Sequence, residues 1–332
     1  MIYNVILSGG IGSRLWPLSR KSAPKQYLPI IDGKSMFELT LARNKAISDA
    51  CIIVGNKDNH QLSQQVMANG NINNYFYIVE AAPRNTAAAI AFACFGLAYN
   101  DIVIVTPADH MINGDAKYQR VMAEGINLAA QDVLVTFGIR PSKPETGYGY
   151  IERSDNRVLS FREKPDVETA RGFVESGSFL WNSGMFCFKA GVYLKELQQH
   201  APTVYEAAYK TWLNRSGAFM PEFETMEIPS ISVDYAVMER SNNLRVIEAD
   251  FEWSDLGSFD AIWDYRENIS GNYKAMPNLV MTTLNKHVEF VGLENLILVE
   301  TNDAILVIPR NQSQKVKEIY ERLELEKPDL LQ

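Results

Sequence analysis

Between Leu7 and Lys25 the chain reads Leu-Ser-Gly-Gly-Ile-Gly-Ser-Arg-Leu-Trp-Pro-Leu-Ser-Arg-Lys-Ser-Ala-Pro-Lys, directly after the short apolar run Ile2–Leu7. Gly9, Gly10 and Gly12 lack a Cβ, so the backbone can bend tightly and bring N–H groups against an anion. Ser13 adds a hydroxyl, and Arg14, Arg20, Lys21 and Lys25 add four cationic side chains within one loop. Arginine can grip phosphate oxygens bidentately, while lysine acts as a point charge. The spacing is not that of a Walker loop, because no Gly-Lys-Ser/Thr ending follows, nor that of a dinucleotide fingerprint. Glycines with cations at the end of a strand predict a triphosphate-binding loop.

A second candidate is Asp109, in Ile102-Val-Ile-Val-Thr-Pro-Ala-Asp-His. An aspartate just past a buried strand can hold a hard cation such as Mg²⁺, which takes one or two carboxylates together with phosphate oxygens. It can equally cap a helix or a turn. Glu252-Trp-Ser-Asp255-Leu-Gly257 offers a second carboxylate in a glycine-backed turn. Further segments could face a polar ligand: Glu145-Thr-Gly147-Tyr148-Gly149, Phe161-Arg-Glu163-Lys164-Pro165, Trp181-Asn182-Ser-Gly184 and Ser232-Val-Asp234. Alone, each reads equally well as a hairpin corner, a solvated strand end or a turn. Pro83, Asn85 and Thr86 precede an Ala-rich stretch and suit a helix start.

These loops need a frame. Ile2–Leu7, Cys51–Val54, Tyr75–Val79, Ile102–Val105 and Val133–Phe137 are short and apolar, as parallel strands covered on both faces are. Helical patterns cover 36–47 and 86–97. The prediction is an α/β fold, a Rossmann-like, mostly parallel sheet flanked by helices, with ligands beyond the carboxyl ends of the strands. Residues 148–255 mix strands (148–152, 158–163, 179–188) with helices (167–175, 192–197). After about residue 272 short β-type pieces recur at 279–283, 287–291, 296–300 and 304–308, before a charged helix over 314–325. Two domains are expected, a catalytic one over 1–270 and a small β-rich one over 271–332, the latter a surface for a homodimer.

Composition sets limits. The 332 residues carry a net charge of −8 and no long basic run, which argues against a nucleic-acid partner. No apolar stretch suits a membrane span and the start is not a signal peptide, so a cytoplasmic protein is expected. Cys51, Cys94 and Cys187 sit among apolar neighbours and read as buried thiols.

The Gly-Gly-x-Gly-x-Arg-Leu…Pro-Lys pattern resembles the signature of the sugar nucleotide pyrophosphorylases, the sugar nucleotidyltransferase family. The wording Arg14-Leu-Trp-Pro-Leu-Ser-Arg20 and Pro24-Lys25-Gln26 resembles its mannose-1-phosphate guanylyltransferase branch. The resembling motifs run in order from Val5 to Gly257. The resemblance implies guanylyl transfer from GTP to mannose 1-phosphate by in-line displacement. It implies nucleotide binding by Leu7, Gly9, Gly10, Gly12, Ser13, Arg14 and Lys25, with the base near Pro83, Asn85 and Thr86. It implies Mg²⁺ on Asp109 and Asp255, with Arg14, Lys25, Asp109 and Lys164 as catalytic groups. It implies sugar contacts from Glu145, Gly147, Tyr148, Gly149, Glu163, Lys164, Asn182 and Asp234. Arg162 stands where the family often has valine. The tail resembles the branch's left-handed β-helix-like domain, and without an isomerase-like stretch the single-activity form is expected. The alternatives are transfer to another sugar 1-phosphate, such as a heptose or glucose, or an inactive sugar-nucleotide-binding regulatory subunit.

Overall fold

The computed structural model describes residues 1–70, 72–270, 277–284 and 286–332. The chain forms two compact units. The first comprises Met1–Gly9, Leu41–Ala108 and Ile112–Trp253, and the second Gly10–Thr40, Asp109–Met111 and Ser254–Gln332. The expected boundary at 270/271 falls at the edge of the described residues, since 271–276 lie outside them. Among the described residues, no helix is long and apolar enough to cross a membrane.

The first unit is built on nine strands: β1 (Ile2–Ser8), β2 (Ala50–Asn56), β3 (Tyr75–Glu80), β4 (Ile102–Pro107), β6 (Leu134–Ile139), β7 (Tyr150–Ser154), β8 (Arg157–Arg162), β9 (Phe179–Lys189) and β10 (Leu244–Ala249), with β5 (Met111–Asn113) a separate short strand. Their order is β3-β2-β1-β4-β9-β6-β10-β8-β7. Seven run one way and only β8 and β9 are reversed, so the sheet is mostly parallel in direction. The central strands are apolar on both sides because helices cover both faces. Along the chain these begin with α1 (Met36–Asn44), α2 (Lys57–Asn69) and α3 (Asn85–Phe95). There follow α4 (Asp115–Ala129), α5 (Val167–Ser176), α6 (Ala190–His200), α7 (Pro202–Leu213) and α8 (Glu222–Glu227). Helix α3 is buried from Ala87 to Cys94, apolar all round, and packs with α6 on Val5, Val54, Val103 and Phe188. On the other face α4 and α5 set Tyr118, Val121, Met122 and Ala170 against Ile104, Val135 and Phe137. Gly125 lets α4 approach closely, since a Cβ there would lie 2.5 Å from the Phe137 ring.

The parallel strands end together. Leu7 pairs with Pro107, Ser8 with Gly55 and Asn56 with Glu80. Strand β9 breaks register with β6 between Thr136 and Gly138, which sets Asn182 opposite Gly138. Such a bulge re-aims a side chain.

After the short β11 (Glu252–Ser254), the second unit contains α9 (Phe259–Ser270), β12 (Leu279–Thr282), β13 (Leu296–Glu300), β14 (Ile305–Pro309) and α10 (Val316–Glu326). β12 and β13 pair in parallel, β13 and β14 antiparallel. Its core joins Leu15, Trp16 and Met36 to Phe259, Trp263, Ile297, Leu306, Tyr320 and Leu323. Val316, Tyr320 and Leu323, spaced along one helical face, bury α10. The β-type piece expected at 287–291 is not a strand. Val291 is 91% exposed, and no β-pairing joins the segment to another strand among the described residues.

Candidate active site

In the second unit, Gly10 and Gly12 take left-handed φ values of 84° and 80°, which favour glycine. The loop then folds back on itself. The Ser19 hydroxyl donates to the Gly12 carbonyl at 2.5 Å, and the Lys25 amide to the Ile11 carbonyl at 3.0 Å. The Gln26 side-chain Nε2 donates to the Gly10 carbonyl at 3.3 Å. A Cβ on Gly12 would lie 2.5 Å from the Lys25 Cβ, so the Lys25 stem runs where only a glycine leaves room.

Lys25 is 4% exposed. Its ammonium donates to Asp109 Oδ2 at 2.9 Å and to the Asp255 backbone carbonyl. The loop and both aspartate turns, distant in sequence, thus meet on one buried cation. Burial works against ionising Asp109, but Lys25 and, behind it, His110 more than offset this and hold the carboxyl below its usual range. His110 Nε2 lies 3.8 Å from Asp109 Oδ1, so it adds charge only when protonated. Asp255 Oδ1 accepts the Gly257 amide at 2.9 Å, fixing the turn. Both of these acceptors of the ammonium are oxygen, the donor type of a hard cation. Arg14, half-buried in a short 3₁₀ turn over Ser13–Leu15, makes no ion pair among the described residues.

Arg20 departs from the expectation. Its guanidinium bridges Asp303, Thr301 and the Pro17 carbonyl, with Nη1 2.8 Å from Asp303 Oδ2, so it ties the loop to the tail. Trp16 Nε1 donates to the Leu330 carbonyl at 3.1 Å and the Lys21 amide to that of Leu331 at 2.9 Å. The conspicuous Trp-Pro-Leu-Ser-Arg wording is therefore scaffolding. Sequence reasoning missed these tail partners.

In the first unit a different cluster forms. Asn182 Nδ2 donates to Asp234 Oδ1 at 3.0 Å, and its Oδ1 accepts the Gly184 amide at 3.1 Å, so the amide's orientation is fixed. A Cβ on Gly149 would lie 2.5 Å from Glu163 Oε2 and 3.5 Å from the Asn182 Cβ; the glycine leaves room for Glu163 beside Asn182. Burial, reinforced by Glu163, pushes the Asp234 carboxyl up to about 6. Glu239 is raised by burial and Glu163 as well, and sequence reasoning did not single it out. Lys164, at a left-handed φ of 46°, pairs with Glu163 at 2.9 Å. Glu163 and Glu239 line a cavity of 380 Å³ with Phe161, Pro165, Asp166 and Tyr235. Glu145 accepts the Gly147 amide at 3.0 Å, and Tyr148 packs edge-on to Trp181 and Trp253.

Pro83, Asn85 and Thr86 lie at the start of α3, where the Thr86 hydroxyl accepts the Val233 amide at 2.8 Å. Just before them, at the ligand-facing end of β3, stands Glu80, which composition could not reveal. It is 7% exposed, its Oε1 finds no hydrogen-bond partner among the described residues, and burial pushes its carboxyl up to about 8. Cys94 and Cys187 are buried as expected, while Cys51 is only partly so; burial raises the Cys51 thiol to about 12 and lifts Cys94 and Cys187 too.

Residues 3–271 match the nucleotidyl transferase family, and residues 276–323 the mannose-phosphate isomerase/GMP-like β-helix domain. The chain is 37% identical over 340 residues to the xanthan biosynthesis protein XanB of Xanthomonas campestris, covering 96% of this chain and 72% of that protein. It is 36% identical over 351 residues to a putative mannose-1-phosphate guanylyltransferase of Vibrio cholerae, covering 98% and 75%. The crystal structure of a protein described as mannose-1-phosphate geranyltransferase from Thermus thermophilus superposes with a TM-score of 0.83 at 28% identity, covering 97% of this chain and 99% of that one. The α/β frame with a β-helix-like tail, expected from the motifs, is thereby established, and the chain is an enzyme of the nucleotidyl transferase family, in the mannose-1-phosphate guanylyltransferase branch that its motifs resemble.

Proposed function

We propose that the enzyme transfers the guanylyl group of GTP to mannose 1-phosphate, releasing pyrophosphate. The observation that carries this reading is the convergence of the glycine loop, Asp109 and Asp255 on the Lys25 ammonium. Such a cluster suits phosphate transfer, where catalysis is positioning and charge stabilisation. The names of the relatives support the choice of sugar and base.

The backbone of Gly9, Gly10 and Gly12 would receive the triphosphate together with Ser13 and the flanking Leu7. Arg14 and Lys25 would neutralise charge growing between the α- and β-phosphates. Asp109 and Asp255 offer oxygens that fit Mg²⁺, which when bound would supply positive charge to the phosphates. Lys164 would hold the attacking phosphate, for which it must leave Glu163. Glu163 and the oriented Asn182 amide would take hexose hydroxyls, with Asp234 holding Asn182 and Glu145, Gly147, Tyr148 and Gly149 shaping that wall. Pro83, Asn85 and Thr86 would face the base. Glu80 supplies a reason for guanine: the N1–H and amino group are two donors that would stabilise the ionised carboxylate, the form that burial alone disfavours, whereas adenine presents an acceptor at N1.

The test is a panel of nucleoside triphosphates against sugar 1-phosphates, read by pyrophosphate release. Release with GTP and mannose 1-phosphate, and little with ATP, UTP or glucose 1-phosphate, is expected. Release only with a different pair would overturn the assignment.

A further inference from the structure

A lysine with 5% of its side chain exposed requires anionic or carbonyl partners, and Lys25 has taken one Asp109 carboxylate oxygen, which the metal reading gives to a hard cation, together with the backbone carbonyl of Asp255. Asp109 Oδ2 and the Asp255 carbonyl both accept from Nζ. The stem is fixed at its base by the Lys25 amide bond to Ile11 and by the space Gly12 leaves. Asp109 Oδ2 cannot serve an ammonium and a divalent ion at once, and an ammonium held at the Asp255 turn repels a second cation there.

We propose that Lys25 is a resident stand-in for the metal: in the substrate-free enzyme its ammonium fills the cation site between Asp109 and Asp255, so a divalent ion binds well only when a triphosphate draws the ammonium away. This rests on the metal reading above. The exchange has a physical driver. A lone divalent ion must displace a buried charge-assisted hydrogen bond, leaving Lys25 buried without a partner. A triphosphate at the glycine loop gives the ammonium a more highly charged partner and gives the ion phosphate oxygens. Triphosphate and ion therefore favour each other's binding, and by linkage the coupling is equal in both directions. The same contact holds Asp109 in one orientation in the absence of metal.

The test needs no turnover. Mn²⁺ binding to the substrate-free protein is measured by the loss of the free-ion electron paramagnetic resonance signal. Wild type should bind weakly, and a non-hydrolysable GTP analogue should tighten binding strongly. Lys25→Met should bind Mn²⁺ about tenfold more tightly than wild type without nucleotide, and should lose most of the tightening by the analogue. Arg14→Gln, which removes a charge from the same loop, should leave nucleotide-free binding within about twofold. Adding Asp109→Asn to Lys25→Met should abolish the gain. If Lys25→Met does not fold, Lys25→Gln serves with the same expectation. Unchanged or weaker Mn²⁺ binding on losing the Lys25 charge would overturn the proposal. So would equal tightening in Arg14→Gln, which would mark a general field effect. Absence of pyrophosphate release by wild type would instead sink the catalytic reading, a separate outcome.

Discussion

The two clusters handle buried charge in opposite ways. Around Lys25 a buried cation is matched to oxygens, and Asp109 is held ionised. Around Asn182 the surplus is negative: Glu163 lies close to Asp234 and Glu239, and both carboxyls are raised. A matched cation beside a glycine loop is ready to exchange one anion for another. Crowded carboxylates beside a fixed amide, even with Lys164 on Glu163, can accept further hydrogen bonds, which a hydroxyl-rich ligand supplies. The contrast supports the proposed phosphate chemistry in the first region and the proposed sugar recognition in the second, and it can be broken by substitution.

The largest effect should come from the cation side. Lys25→Ala or Arg14→Ala should slow turnover by roughly two to three orders of magnitude, the range for losing one transition-state charge contact. Steady-state kinetics near wild type in either variant would remove that residue from the phosphate chemistry. Arg20→Ala is the control. Its partner Asp303 is half exposed, so the loss should be about 1 kcal/mol of stability, seen as a lower Tm, with turnover reduced far less than in Arg14→Ala.

Next in size is base choice. Glu80→Gln keeps the shape but replaces an acceptor with a donor, and should lower kcat/KM for GTP by about tenfold or more while narrowing the preference over ATP. An unchanged GTP-to-ATP ratio would take Glu80 out of base recognition.

The smallest effect is a pH signature on the sugar side. The folded Asp234 carboxyl titrates near 6, above its ordinary value, so the folded state binds this proton more tightly than the unfolded chain does. Its contribution to stability is therefore greatest below about pH 4 and is lost as pH rises from about 4 to 6, a change of roughly 3 kcal/mol. Asp234→Asn should flatten stability over that window while raising KM for the sugar phosphate. Parallel stability curves for variant and wild type would refute the raised carboxyl.

The glycine loop, Asp109 and Asp255 were legible because each announces itself locally, by residue type beside an apolar strand. The sheet was legible for the same reason. Arg20 was counted with the loop cations, and its role as a tie to the tail was not legible, because its partner Asp303 lies 283 residues away and nothing near Arg20 signals it. Glu80 and Glu239 escaped notice because burial, not composition, makes them unusual. Helix α4 was missed since Gly125 interrupts a polar-looking stretch, yet that glycine is what seats the helix on Phe137. The segment 287–291 has strand-like residues but no neighbouring strand among the described residues, and alternation alone does not make a sheet.

The most direct measurement follows the α-phosphorus. The enzyme is given GTP labelled at the α-phosphate with mannose 1-phosphate and Mg²⁺, and the products are separated. The label should appear in a sugar nucleotide that yields mannose and guanosine, with unlabelled pyrophosphate released in equal amount. Label that stays in GTP, or that appears as GMP without a sugar adduct, would contradict guanylyl transfer.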